Sequence, residues 1–261
     1  MKIILNGCNG YMGREIQRLC RESYRDVVIV CGVDNELRGN EAIPVFPALV
    51  SIPPSYEADC IIDFSHHVGT RPLLAYGEAR GLPIILATTG QTKQELAAIH
   101  SAAERIPLFF SANMALGVAL LIDLAQTVAQ AMPRADIEII EKHHNHKTDA
   151  PSGTALMLAD ALCTVRKNAY IRNGRDGHGR RGRGEIGIHA VRMGNIVGEH
   201  EVIVSGTNQT ITLKHEAHDR ALFAEGALAA AKFIYRQPPG LYEMRHLLRA
   251  EQQKKRGGGS S

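Results

Sequence analysis

The stretch Lys2-Ile3-Ile4-Leu5-Asn6-Gly7-Cys8-Asn9-Gly10-Tyr11-Met12-Gly13-Arg14 decides how the chain is read. An apolar run ends in a cluster of glycines, and a helix-length segment, Gly10–Tyr24, follows. Apolar runs without polar alternation suit strands covered on both faces, as in a parallel sheet. Glycines at the turn from such a strand into a helix let the backbone approach a pyrophosphate. The helix N-terminus adds free N–H groups and a positive dipole. The spacing is G-x-x-G-x-x-G, with Asn9 where the usual second glycine would stand. Asn tolerates left-handed backbone better than most residues. Alone, the loop also reads as a plain glycine turn.

Its surroundings favour the nucleotide reading. Further β-branched or apolar runs lie at Val27–Val33, Cys60–Phe64, Pro83–Ala87 and Pro107–Phe110, with helix-length segments at Thr70–Arg80 and Thr92–Arg105. Strands alternating with helices imply a doubly covered parallel sheet. Asp34 follows the second run, where an acid accepts hydrogen bonds from an adenosine ribose. Asn35 and Glu36 come next, and Arg38 is the nearest cation. A 2′-phosphate beside two carboxylates is repelled, so NADH is favoured modestly over NADPH. Ala87-Thr88-Thr89-Gly90 and Ser111-Ala112-Asn113-Met114 end two later strands, where open α/β sheets bind ligands. Glu36–Glu57 reads as an irregular connection.

Beyond Asn113 the pattern changes. A helix over Leu116–Ala131, a strand over Asp136–Glu141 and a helix from Thr154 precede a Gly- and Arg-rich stretch, Arg172–Glu185, read as a mobile surface loop. Runs at Ile186–Met193, Glu201–Gly206 and Gln209–His215 read as antiparallel neighbours. A helix over Ala221–Tyr235 follows, and the polar tail from Lys254 to Ser261 reads as disordered.

Composition narrows the function. The 261 residues carry a net charge of +3, too small an excess to imply nucleic acid. Tryptophan is absent, so stacking platforms for single strands lack material. Five scattered cysteines with no C-x-x-C pair suit a reducing cytosol. The longest apolar stretch, Met114–Met132, is broken by Asp123, Gln126 and Gln130, so no membrane span is expected.

Glu141-Lys142-His143-His144-Asn145-His146-Lys147-Thr148-Asp149-Ala150-Pro151-Ser152-Gly153-Thr154-Ala155-Leu156 holds the densest chemistry. A metal site is disfavoured because the lysines repel a cation, and none is expected. A cationic pocket for an anionic substrate fits better, since His and Lys donate charge-assisted hydrogen bonds and His transfers protons near neutral pH. Ser152-Gly153-Thr154 open an apolar helix, whose backbone N–H groups and hydroxyls can receive a carboxylate. A capped helix after a solvated loop is the plainer alternative.

The run E-K-H-H-N-H-K-T-D-A-P-S-G-T-A-L closely resembles the signature of the 4-hydroxy-tetrahydrodipicolinate reductase (dihydrodipicolinate reductase) family. G-C-N-G-Y-M-G-R, I-D-F-S at Ile62–Ser65, A-T-T-G, S-A-N-M and G-N-I-V-G-E-H at Gly194–His200 extend the resemblance to nearly all of the chain. It implies a Rossmann-like dinucleotide-binding domain (residues 1–113 and 222–253) and an α+β substrate and oligomerisation domain with an open mixed sheet (114–221). It also implies a homotetramer in the cytoplasm. The implied reaction is NAD(P)H-dependent reduction of 4-hydroxy-tetrahydrodipicolinate, a small dicarboxylate, in diaminopimelate and lysine biosynthesis. By the same resemblance His143 is the proton donor and Lys147 assists it. His144, Lys147, Ser152, Gly153, Thr154 and Arg220 bind substrate. Gly7, Cys8, Asn9, Gly10, Tyr11, Met12, Asp34, Ala87, Thr88, Thr89, Ser111, Ala112, Asn113 and Met114 bind cofactor. Ala87, Asn35 and Tyr11 depart from residues that some family members carry, and the last two weaken a case for NADPH. Rival readings are another dinucleotide-dependent reductase of amino or imino acids, an NADH-holding sensor without turnover, and an arginine loop that binds nucleic acid.

Overall fold

The computed structural model describes residues 1–36 and 43–257; Arg38 and residues 258–261 lie outside them. In chain order the elements are β1 (Lys2–Asn6), α1 (Tyr11–Glu22), β2 (Val28–Val33), β3 (Val45–Phe46), β4 (Cys60–Asp63), α2 (Thr70–Arg80), β5 (Ile84–Leu86), α3 (Lys93–Ala103) and β6 (Pro107–Phe110). There follow α4 (Leu116–Ala131), β7 (Asp136–His143), α5 (Gly153–Val165), β8 (Tyr170–Asn173), β9 (Glu185–Arg192), β10 (Gly198–Ser205) and β11 (Thr210–Ala217). The chain ends with α6 (Ala221–Ile234), β12 (Gly240–Tyr242) and α7 (Met244–Gly257). Contacts divide it into two compact units, Met1–Ala115 together with the chain from Ala221 onward, and Leu116–Arg220.

The first unit holds a parallel sheet in the order β12-β6-β5-β4-β1-β2-β3. Ile3, Ile4 and Leu5 are buried at consecutive positions, as are Cys60–Asp63 and Ile84–Leu86. A strand buried at successive residues is covered on both faces, which explains the unbroken apolar runs. The strand order reverses between β1 and β4, so a crevice opens at their carboxyl ends, where such sheets take ligands. The irregular connection after Glu36 contributes two-residue β3. Three-residue β12 extends the far edge beside β6 and is too short to show a period in sequence. The tail expected from Lys254 begins inside α7.

The second unit holds a mixed sheet in the order β11-β10-β7-β9-β8. β7 reads Asp136-Ile137-Glu138-Ile139-Ile140-Glu141-Lys142-His143, and its burial alternates along the strand. One face is therefore packed and the other is not. Leu121, Ala125 and Ala129 of α4 and Ala155, Leu158 and Leu162 of α5 pack with Ile137, Ile139, Ile186, Ile188, Val202 and Val204. One expectation is corrected here. β10 and β11 are antiparallel neighbours, but β9 does not pair with β10; both flank β7, β9 parallel to it and β10 antiparallel. α5 and β8 carry the chain across so that β9 returns in the direction of β7, as a parallel neighbour requires.

The Arg172–Glu185 stretch is not the freely mobile loop expected. Arg172 lies in β8 and Arg175 reaches Glu185 at 2.8 Å. Arg181 binds Glu138 at 3.0 Å, Asp136 at 3.2 Å and the carbonyls of Ile137 and Glu185 at 2.6 Å each. Glycines there signalled mobility, but the arginines find Glu185 at the end of the stretch and the carboxylates of β7, which are distant in sequence.

Candidate active site

The polar site continues the core face of β7. A period of two puts Glu141 and His143 on the same face as Ile137 and Ile139. Register extends the row across the sheet: Glu141 lies opposite His200 of β10 and Ala190 of β9, and His143 lies opposite Arg192.

At the centre is the Glu141 carboxylate, 0% exposed. Arg192 grips it with two parallel bonds, Nη1 to Oε2 and Nη2 to Oε1, both 2.8 Å. The Ser152 backbone N–H donates to Oε1 at 2.9 Å, and His143 Nδ1 lies 2.6 Å from Oε2. Burial alone raises the pKa of this carboxyl, but bonds from His143, Arg192 and Ser152 outweigh it and hold the pKa at about 2. Arg192 also donates to the Asp149 carbonyl at 2.6 Å, tying the histidine–lysine loop to β9. The His200 ring stands edge-on to His143, centroids 5.2 Å apart, with Nε2 3.1 Å from the Ser152 hydroxyl. Burial, then the neighbouring His143, pushes the His200 imidazole down to about 4.

Around this centre lies a positive loop. His144 Nδ1 is buried without a hydrogen-bond partner. Burial lowers the pKa of this ring, and the charges of Arg220, His146, His143 and Lys147 lower it further. Lys147 pairs with Asp149 at 2.7 Å. Gly153 opens α5 and is exposed, with space for a Cβ beside it, and its N–H is among those at the helix start that no intrahelical carbonyl accepts. Thr154 follows it, half-buried in the first turn. Ser152 departs from the substrate-binding expectation. Its N–H is consumed by Glu141, its hydroxyl caps Ala155 N at 3.3 Å and meets His200, and it is 2% exposed.

The first unit carries the dinucleotide elements. Gly7 has φ +79°, and a Cβ there would stand 2.6 Å from the Phe64 carbonyl; one on Gly13 would stand 2.2 Å from the Gly7 carbonyl. Only glycine fits either place. Gly10 precedes α1 without a side-chain cap, leaving that helix terminus suited to an anion. Asp34 closes the loop, accepting from Asn9 N at 2.9 Å and Glu36 N at 3.1 Å. A carboxylate has acceptor capacity left for a ribose hydroxyl after two such bonds. These residues fit a dinucleotide.

Not every expected cofactor residue presents its side chain. Cys8 is buried beneath Gly32, Met114 is buried with its carbonyl against Gly226, and Thr88 turns inward to Asp63 at 2.7 Å. Such residues can meet a ligand through backbone only. Gly10, Tyr11, Thr89 and Ala112 are exposed, and Asn9, Met12, Ala87 and Asn113 are half-buried. Ser111 and Asn113 bond within their own turn, and Asn113 Oδ1 accepts from Ala115 N at 2.8 Å.

Two family models match the chain: "Dihydrodipicolinate reductase, N-terminus" over residues 1–114 and "Dihydrodipicolinate reductase, C-terminus" over 117–248. The chain belongs to the dihydrodipicolinate reductase family. It is 44% identical over 251 residues to a 4-hydroxy-tetrahydrodipicolinate reductase of Caldanaerobacter subterraneus subsp. tengcongensis, covering 95% of this chain and 98% of the relative. A reductase of the same description from Clostridium tetani is 44% identical over 247 residues, 94% and 95% of the two chains. In fold the chain is similar to a dipicolinate-bound dihydrodipicolinate reductase from Paenisporosarcina sp. TG-14, with TM-score 0.80 at 24% identity over 93% of this chain and 97% of that one.

In this reductase, sequence reasoning quoted Glu141, Asp63 and His200 within motifs without giving them a role, and missed Arg192. A glutamate two residues before a histidine on a strand shares its face, so Glu141 was findable. Asp63 joins the ends of three strands, accepting from Asn6 at 2.7 Å, the Ser65 hydroxyl at 2.6 Å and Thr88. Burial raises its pKa, while those bonds lower it. Arg192 and His200 meet Glu141 through long-range register, and no local pattern marks Arg192. Among the described residues no group of His, Cys, Asp or Glu is arranged to hold a metal.

His200 gives a stability prediction. Its folded pKa lies below the ordinary imidazole value of about 6.5, so the unfolded chain binds the proton more readily as pH falls. Its contribution is complete above about pH 6.5 and is lost between there and about pH 4, by at most about 3 kcal/mol. Urea unfolding at a series of pH values is expected to show this slope, and His200→Gln to flatten it.

Proposed function

We propose that His143 is the proton donor in the reaction of this family, NAD(P)H-dependent reduction of 4-hydroxy-tetrahydrodipicolinate to tetrahydrodipicolinate in diaminopimelate and lysine biosynthesis. One observation carries the reading: the buried Glu141 carboxylate that holds His143 Nδ1 also holds the Ser152 N–H at the start of α5. Acid and carboxylate receptor are thereby fixed to one group. When bound, the reduced dinucleotide supplies the hydride.

The protein's own residues do the rest. The Gly153 and Thr154 amides and the Thr154 hydroxyl receive one substrate carboxylate at the positive end of α5. His144, Lys147 and Arg220 supply positive charge for the other. Lys147 exchanges Asp149 for the substrate and stabilises negative charge as it develops. His143 delivers its proton from Nε2, either beside the carbon that accepts hydride or to the departing hydroxyl.

Gly7, Asn9, Gly10, Tyr11 and Met12 hold the pyrophosphate through backbone, and Asp34 holds the adenosine ribose. A 2′-phosphate would face the Asp34 carboxylate, so NADH is the preferred reductant. The nicotinamide end meets the Ala87–Thr89 and Ser111–Met114 turns. The cytosol is the inferred location, in keeping with the free thiols Cys8, Cys20, Cys31, Cys60 and Cys163. Among the described residues no helix is long and apolar enough to cross a membrane. A homotetramer formed through the second sheet is supported by half-buried Ile140 and Ile203 on the face away from α4 and α5.

A coupled assay tests the activity, with dihydrodipicolinate synthase making substrate in situ from pyruvate and aspartate semialdehyde. Substrate-dependent oxidation is expected with kcat/KM higher for NADH than for NADPH. His143→Gln and Lys147→Ala are expected to lose about 10²–10⁴-fold. No oxidation despite cofactor binding would point to another substrate or to the sensor reading. Light scattering is expected to give four times the chain mass, and Ile203→Lys to lower it.

A further inference from the structure

The His143 ring is held at Nδ1 by a carboxylate, and at Nε2 it packs beside a residue without a side chain. On the held side stands Glu141, whose two oxygens take three bonds from Arg192 and Ser152 before His143 is counted. An ionised carboxylate only accepts hydrogen bonds. Nδ1, at 2.6 Å from Oε2, must therefore carry a hydrogen whether the ring is neutral or charged. Rotation of the carboxylate away from His143 would break the Arg192 fork, whose geometry is fixed by the planar guanidinium.

On the Nε2 side is Gly198, the first residue of β10. A Cβ built there would stand 3.0 Å from His143 Nε2 and 3.4 Å from Cδ2. That is tighter than side chains ordinarily pack, so a residue with a Cβ would cover or displace the ring. The glycine has ordinary backbone, and no turn demands it. Its reason is the space above Nε2. The other charged or titratable groups around the ring are Arg192 from β9, His200 from β10, and His144 and Lys147 from the following loop.

We propose that Glu141, clamped by Arg192, is a positioning residue that locks His143 into the Nδ1–H tautomer, and that Gly198 keeps Nε2 open as the only atom exchanging a proton with substrate. This rests on the reading of His143 as the acid and adds what makes it act through one nitrogen. A free imidazole in water prefers the opposite tautomer, with its hydrogen on Nε2, and such a ring reaches the protonated state by gaining a hydrogen at the wrong atom.

The test combines nitrogen NMR of histidine-labelled protein with steady-state kinetics. His143→Gln assigns the ring signals by their loss. The wild-type neutral ring is expected to show a protonated Nδ1 and a bare Nε2. Glu141→Gln is expected to bring in the Nε2–H form and lower kcat by about 10²-fold with KM little changed. Gly198→Ala is expected to lower kcat while leaving Nδ1 protonated, and Arg192→Lys to mix the tautomers. A merely structural role for Glu141 would lower the unfolding midpoint and leave the tautomer of the folded fraction untouched. A wild-type ring protonated at Nε2 overturns the proposal, and this readout stands even where Glu141→Gln does not fold. So does full kcat in both Glu141→Gln and Gly198→Ala. If His143→Gln itself keeps full activity, the underlying assignment of the acid fails instead, and the tautomer measurement still reports on the lock.

Discussion

A carboxylate with no solvent at all must be neutralised where it stands, and Glu141 imposes that demand on the second unit. Leaving such a charge unpaired in the interior costs several kcal/mol. Here it is met by a guanidinium fork, a backbone N–H and an imidazole, drawn from β9, the start of α5 and β7 itself. That requirement explains the strand order. Arg192 can face Glu141 only if β9 lies beside β7, and a parallel β9 needs the long crossover through α5 and β8. The same crossover brings the N-terminus of α5 to the carboxylate. One buried charge thus gathers an imidazole and the N-terminus of a helix at the polar end of an otherwise apolar sheet face.

The first unit answers a different constraint, the close approach of backbone to backbone. Gly7 and Gly13 have no room for side chains, so the turn after β1 folds back on itself and α1 begins close to the strand end. Asp34 and Asp63 then tie neighbouring strand ends together, Asp34 to the glycine loop and Asp63 to Asn6, Ser65 and Thr88. Both acids stand at the carboxyl ends of parallel strands, on either side of the strand-order reversal. The loop is shaped by backbone packing, and a loop so constrained loses little freedom on holding an anion.

What could be read in the sequence follows the range of the forces involved. The glycine loop, the acid after β2 and the helix that opens at Gly153 are local features, legible because their chemistry lies within a few residues. The contrast between the two sheets was legible as well, in unbroken runs such as Ile3-Ile4-Leu5 against the alternation of β7. Arg192 was not. Nothing near it distinguishes it from the other arginines of that region, and its partner lies on a strand 51 residues away. The pairing of β9 was misread for the same reason: three successive strand runs suggest a meander, and only the buried charge on β7 calls for a different neighbour. Cys8, Thr88 and Met114 show a further limit, since a motif names residues without telling which of them turn inward.

The central claim is that β7 and the start of α5 form a single dicarboxylate receptor with an acid at its centre. It is tested most directly by a crystal structure of the chain with reduced dinucleotide and pyridine-2,6-dicarboxylate. One ligand carboxylate is expected on the Gly153 and Thr154 amides, the other among His144, Lys147 and Arg220, and His143 Nε2 facing the ring with Nδ1 still on Glu141. A dicarboxylate bound away from α5, or a His143 ring turned off Glu141 in the complex, would contradict it.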